Sequence, residues 1–231
     1  MKFKKRYFLI ILFLLFIGMF IFVNLSSHSL IGKDSKGYVT KDVYSHYGQS
    51  NSKIAIITGM HPRETLSSTI VPYVIKFYAL THNIELTNYQ VIVDDNPTDF
   101  SIGRANGQTL VEKYITSDIG KSNNSLVIIC HDHEQGYGDG FYIATPTMDS
   151  KSVTLGTGVH MLLTNFNYYQ RSTGEKAHSS SIYQVDMPIA ATGVGVFVYE
   201  IPEWYGYWNT FWNTYSLIDT SVKVINSQYN L

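Results

Sequence analysis

The chain has 231 residues, 45% of them hydrophobic and 15% charged, a composition that excludes an intrinsically disordered protein. A formal net charge of −1 offers no basic field for nucleic acid, and nothing in the residues calls for an obligate protein partner. Cys130 is the single cysteine, so an intrachain disulfide and a cysteine zinc cage are excluded; inside an apolar run it reads as a small core residue.

Lys2, Lys4, Lys5 and Arg6 precede an apolar run from Tyr7 to Val23. A basic flank before such a run predicts a signal anchor: a cytoplasmic tip and one transmembrane helix over residues 1–23, with the rest of the chain outside the cytoplasm. Leu25-Ser26-Ser27 is a weak cleavage site, and cleavage there would make the protein secreted. Residues 24–37 are polar and small and read as a linker. Residues 38–231 are enough for one domain with a real core.

Tyr38–Tyr47 alternates weakly and reads as an edge strand or hairpin. Lys53–Thr58 is a short β-branched apolar run, a strand covered on both faces, and Gly59 ends it. Apolar residues at helical spacing predict a helix over Glu64–His82. Tyr89–Asp94 is the next strand, followed by a loop and a helix from about Arg104 to Ile119. Ser125–Cys130 is a third buried strand that runs into His131-Asp132-His133-Glu134, and Phe141–Thr145 a fourth. A helix over Ser152–Phe166, a loop over Asn167–Ser181, a strand over Gly193–Ile201 and a helix over Gly206–Asn226 follow. Strands alternating with helices, each strand nearly continuous in apolar residues, predict an α/β domain with a mainly parallel sheet.

Such sheets bind ligands beyond the carboxyl ends of their strands, and the chemically suggestive residues fall there. His61 and Glu64 follow one strand, Asn96 and Arg104 another, His131 and His133 a third, and Glu200 ends the last clear one. His61 and Glu64, three apart at a strand-to-helix corner, supply two thirds of a His-Glu-His zinc site. The bland alternative is a turn histidine beside a helix-start charge. The third ligand is His131 or His133, with His131 preferred because it follows the apolar strand directly.

His61-Pro62-Arg63-Glu64 after a strand, Asn96-Pro97 followed by Arg104, the histidine after Leu126–Cys130, and Glu200 ending Phe197-Val198-Tyr199-Glu200 form an ordered set. Through these residues the chain resembles the zinc carboxypeptidase family and its deacylase relatives of the succinylglutamate desuccinylase and aspartoacylase type, over residues 53 to about 204. The resemblance implies a mixed eight-stranded sheet sandwiched between helices. It implies one Zn²⁺ held by His61, Glu64 and His131 (or His133), with Glu200 as general base and Arg104 at the oxyanion. Asn96 and Arg104 would contact the substrate. The Asn-Arg pair with which family members grip a terminal carboxylate is absent, as is the aspartate two before the third ligand, where Ile129 stands, or His131 if His133 is the ligand. The expected function is therefore a membrane-anchored, extracytoplasmic zinc hydrolase of peptide or amide bonds, acting on cell-wall or extracellular peptides. The competing expectation is a non-catalytic binding domain of the same fold. Trp204, Trp208, Trp212, Phe211 and Tyr215 recur at helical spacing, which reads as helix packing.

Overall fold

The computed structural model describes residues 5–24, 26–45, 50, 52–171 and 179–229; the side chains of 20–24 and 228–229 fall outside that description. In chain order come helix α1 (Lys5–Asn24), strands β1 (Ser26–Asp34), β2 (Gly37–Tyr44) and β3 (Lys53–Thr58), helix α2 (Thr65–Thr81), strand β4 (Glu85–Val93) and helix α3 (Phe100–Leu110). A π-helical turn at Val111–Ile115 leads into the short helix α4 (Thr116–Ile119). Strands β5 (Leu126–His133) and β6 (Tyr142–Thr145), helix α5 (Ser150–Leu162) and strand β7 (Asn167–Gln170) follow. A second π-helical turn, Ile182–Asp186, runs into helix α6 (Met187–Ala190); strand β8 (Gly195–Pro202) and helix α7 (Tyr207–Tyr229) come last.

The strands form one eight-stranded sheet in the order β1-β2-β4-β3-β5-β8-β6-β7. The central run β4-β3-β5-β8 is parallel, whereas β2 meets β4 and β6 meets β8 antiparallel. The sheet is thus mixed and mainly parallel, as expected. The period-two alternation of the buried strands divides the core into two layers. Ile54, Ile56, Leu126, Ile128, Phe197 and Tyr199 face α2, α5 and α7, while Ala55, Ile57, Val127, Ile129 and Val196 face α3, the π-turns and α6. Cys130 is a free, buried residue of the first layer, as its apolar surroundings predict. From β3 the chain crosses to β4 on one side, and β5 lies on the other. The gap between the ends of β3 and β5 is therefore a topological switch point, where doubly wound sheets bind ligands.

Several expected boundaries move. The polar stretch read as a linker forms β1 over Ser26–Asp34, because it pairs with β2 in a hairpin whose backbone bonds need no apolar side chains; β1 is mostly exposed. Asn167–Gln170, expected as a loop, is the short edge strand β7 for the same reason; residues 172–178 of that loop lie outside the described residues. Of the weak edge strand, β2 covers Gly37–Tyr44, while residues 46–49 lie outside the description, as does Leu25 of the weak cleavage site. Helix α3 starts four residues before Arg104, at Phe100, because Asp99 caps it by accepting the Ile102 N–H at 2.7 Å.

Among the described residues no helix is long and apolar enough to cross a membrane. The described apolar side chains of α1 run from Tyr7 to Met19 and are exposed. They cover about 20 Å at the helical rise, against a hydrocarbon layer of about 30 Å. Phe20–Val23, the remainder of the expected span, lie among the undescribed side chains. In α7, Phe211 and Tyr215 pack on the core as the spacing predicts, but Trp208 is 74% exposed and Trp212 50%.

Candidate metal centre

The site begins at the turn after β3. Gly59 has φ 75°, and a Cβ there would stand 2.5 Å from the Val91 carbonyl oxygen, so glycine is required. The chain reverses through a bond from the Glu64 N–H to the His61 carbonyl (3.0 Å), which sets the two side chains toward one point. Helix α3 closes the far side. A Cβ on Gly107 would lie 1.7 Å from the Met60 carbonyl oxygen, so α3 rests directly on the backbone that carries His61.

His131 and Glu200 come from the sheet itself. They are register partners on the parallel neighbours β5 and β8, and alternation places both on the α3 side. Asp132, next in β5, faces the other way and accepts the N–H groups of Leu66 (2.6 Å) and Ser67 (2.8 Å). It thereby caps α2, a role that a helix-start glutamate would otherwise take. Glu64 stands at the N-cap position of α2 but makes no side-chain cap bond there. Its carboxylate instead meets His61 Nδ1 at 2.7 Å through one oxygen and His131 Nδ1 at 2.8 Å through the other. The two imidazoles stack with centroids 4.5 Å apart, and an Arg104 guanidinium nitrogen lies 3.6 Å from Glu64 Oε1.

Three of the expected ligands therefore converge. One donor atom each from His61, Glu64 and His131 all lie within 4.8 Å of one another, and the residues are buried. His133 does not join that cluster. It lines the same cavity, but its Nδ1 and Nε2 face the carbonyl oxygens of Glu134 (3.2 Å) and Gly140 (3.0 Å), and its ring packs against Tyr142 and Trp204. Asn96 does not line the cavity. It is an exposed turn residue at φ 51°, donating to Asp95, a left-handed position that asparagine tolerates.

Burial and mutual charge shift Glu64, His131, His61, Glu200 and Asp132. Burial acts to raise the Glu64 pKa, but the charges and hydrogen bonds of His131 and His61 outweigh it and lower it to about 2. Burial acts to lower that of His131, yet Glu64 and then Glu200 raise it to about 9. His61 moves oppositely: burial and then the His131 charge lower it to about 4. Without a metal, Glu64 and His131 form an ion pair beside a neutral His61. Burial and the Glu64 charge raise Glu200 to about 7, although His131 opposes them; a carboxylate so placed exchanges protons near neutral pH. Burial likewise raises Asp132 to about 6, against the two helix N–H groups that it accepts.

The donor set fits a metal. Two imidazole nitrogens and a carboxylate oxygen suit zinc, whose bonds of about 2 Å separate tetrahedral ligands by roughly 3.3 Å. The two contacts between Glu64 and the imidazoles need to open only slightly to reach that spacing. All of this lines a cavity of about 930 Å³, with Arg63, Arg104, Tyr142 and Glu203 around the chemistry. Asp132 and Gln108, which touch the ligands or the helix that carries them, went unread in the sequence. Asp132 faces away from its histidine neighbours, and Gln108 sits in a helix with no motif.

The sequence matches no protein-family model and no curated protein. The structure is similar to a metallo-carboxypeptidase from Burkholderia cenocepacia at TM-score 0.63, with 10% identity, over 89% of this chain and 66% of that one. A metallo-carboxypeptidase from Pseudomonas aeruginosa, in complex with (2-guanidinoethylmercapto)succinic acid, gives 0.61 and 9%, over 85% and 64%. An apo cell shape determinant protein from Helicobacter pylori gives 0.54 and 10%, over 81% and 55%. The fold is that of the metallo-carboxypeptidases, and the chain spans about two thirds of the length of those two enzymes.

Proposed function

We propose that this chain is a zinc-dependent hydrolase of peptide or amide bonds, held at the membrane by its N-terminal helix with the catalytic domain outside the cytoplasm. The observation that carries the reading is the convergence of His61, Glu64 and His131 beside Glu200 and Arg104 in one cavity. His61, Glu64 and His131 would hold the zinc, which when bound supplies a water acidified to near neutrality and polarises a carbonyl. Glu200, raised to about 7, would be the group that accepts a proton from the attacking water and delivers it to the departing amine. Arg104 faces the same space as a fixed cation for the developing oxyanion. The missing Asn-Arg pair argues against recognition of a free terminal carboxylate and for an internal peptide or acyl-amide bond. Cell-wall or extracellular peptides suit the proposed location, and the likeness to a cell shape determinant supports the former. For the anchor, the support is the basic pair Lys5-Arg6 followed by exposed apolar side chains in α1.

The test is zinc content and hydrolysis by the purified full chain. About one zinc per chain is expected, lost in His61→Ala and His131→Ala but kept in His133→Ala. A peptide and acyl-amide library should be cleaved by the wild type and not by Glu200→Gln. A folded chain without zinc would overturn the reading. Release of the full chain from membranes by an alkaline carbonate wash would overturn the anchor.

A further inference from the structure

Behind the ligands runs a short chain of polar contacts that the hydrolytic reading does not use. Gln108 is 1% exposed, carried on α3 beside Gly107. Its Nε2 lies 3.4 Å from His61 Nε2, and its Oε1 accepts the Ser180 hydroxyl at 3.0 Å. His61 offers its other nitrogen, Nδ1, to the Glu64 carboxylate. The network has one consistent direction: Ser180 O–H donates to Gln108 Oε1, Gln108 N–H donates to His61 Nε2, and His61 Nδ1–H donates to Glu64.

That direction is incompatible with metal binding. The His61 nitrogen that meets Glu64 is Nδ1, and a metal held between them needs its lone pair, which moves the ring proton to Nε2. Nε2–H would then face the Gln108 N–H, two donors with no acceptor between them in a buried place. The conflict is relieved if the Gln108 amide turns over, presenting Oε1 to His61 Nε2–H and its NH₂ to Ser180 Oγ, which accepts as readily as it donates. No net proton is gained or lost by His61.

We infer that Gln108, with Ser180 as its pivot, is the positioning residue of His61, and that its amide reverses when the site takes a metal. The inference rests on the zinc reading above. A carboxylate at this position would only accept, holding His61 permanently in the metal-ready tautomer; the amide supports both tautomers. Glutamine thus sets a site that rests in a closed hydrogen-bond network and yields to the metal, rather than one prepared for it.

The experiment measures zinc affinity by chelator competition on the full chain, for wild type, Gln108→Leu and Gln108→Glu, with the ¹⁵N shifts of the His61 ring in the wild type. Outer-shell partners of metal-bound histidines carry about 10- to 100-fold in affinity. Gln108→Leu should lose that much, and Gln108→Glu should bind more tightly than wild type, which a merely structural role would not produce. The His61 shifts should report Nδ1–H without zinc and Nε2–H with it. Wild-type uptake with both variants within about twofold, or a metal-free His61 already protonated at Nε2, overturns this inference alone. No uptake by the folded wild type overturns the zinc reading as well. If Gln108→Leu fails to fold, Gln108→Glu and the tautomer measurement still decide.

Discussion

Zinc binding should release a proton at neutral pH, in an amount the site geometry sets. His131 is held to Glu64 at 2.8 Å, and its pKa is raised to about 9. At pH 7 it is therefore protonated, whereas a zinc ligand must be neutral. Glu64, lowered to about 2, has no proton to give, and neither does His61, lowered to about 4. One proton per zinc is thus expected from His131. Glu200, at about 7, adds up to roughly half a proton as the cation favours its ionised form. Glu200→Gln removes that contribution. In this variant, which also loses the Glu200 charge that helps to raise His131, affinity should rise by up to about tenfold per pH unit above pH 6 and flatten at a lower pH than in the wild type, each tenfold being about 1.4 kcal/mol. Calorimetric titration with zinc in two buffers of different ionisation enthalpy counts the protons directly. Release of fewer than about 0.3 protons at pH 7, or an affinity flat from pH 6 to 8, would show that His131 is neutral without metal and refute the ion pair. The same shift fixes a stability sign. A histidine with a raised folded pKa stabilises fully below its unfolded value of 6.5 and loses that contribution as pH rises through about 9, so the metal-free fold should weaken across that window.

Asp132→Asn leaves one acceptor for two helix N–H groups and sets an amide donor against the other. A loss of about 1–3 kcal/mol in urea unfolding is expected, with weaker zinc binding as Glu64 shifts with its helix; an unchanged denaturation midpoint would contradict the capping role. Gly107→Ala forces α3 away from Met60 by roughly 2 Å to reach ordinary contact, which should cost about 1–3 kcal/mol and lower both zinc affinity and turnover. Wild-type stability and activity in that variant would show that the helix seats differently.

The buried parallel strands and the crossover helices were legible because their apolar periodicity is strong: Lys53–Thr58 is the same in sequence and structure. The edge strands β1 and β7 were not, since their stability comes from backbone pairing with a neighbour that local pattern does not reveal. At the site, His61, Glu64, His131 and Glu200 could be read from their places at or just after strand ends, and Arg104 from its place after the Asn96-Pro97 turn. The preference for His131 over His133 was legible from its place directly after the apolar strand, but the carbonyl oxygens that occupy the His133 ring nitrogens were not. The partners Asp132 and Gln108 are set by packing between elements far apart in the chain: the bond from Asp132 to Leu66 spans 66 positions.

Consecutive residues of β5 serve opposite sides of the sheet, His131 the ligand cluster and Asp132 the start of α2. Because side chains in a strand alternate, a slip of β5 by one position would exchange them, burying an imidazole under the helix and turning the carboxylate toward the ligands. The cluster of His61, Glu64 and His131 can form only when the middle of the sheet is in its correct alignment. The cluster is in this sense a proofreading mark for folding: chains that assemble β5 out of step would lack it, and under the proposed function the metal-loaded fraction would count correctly aligned molecules.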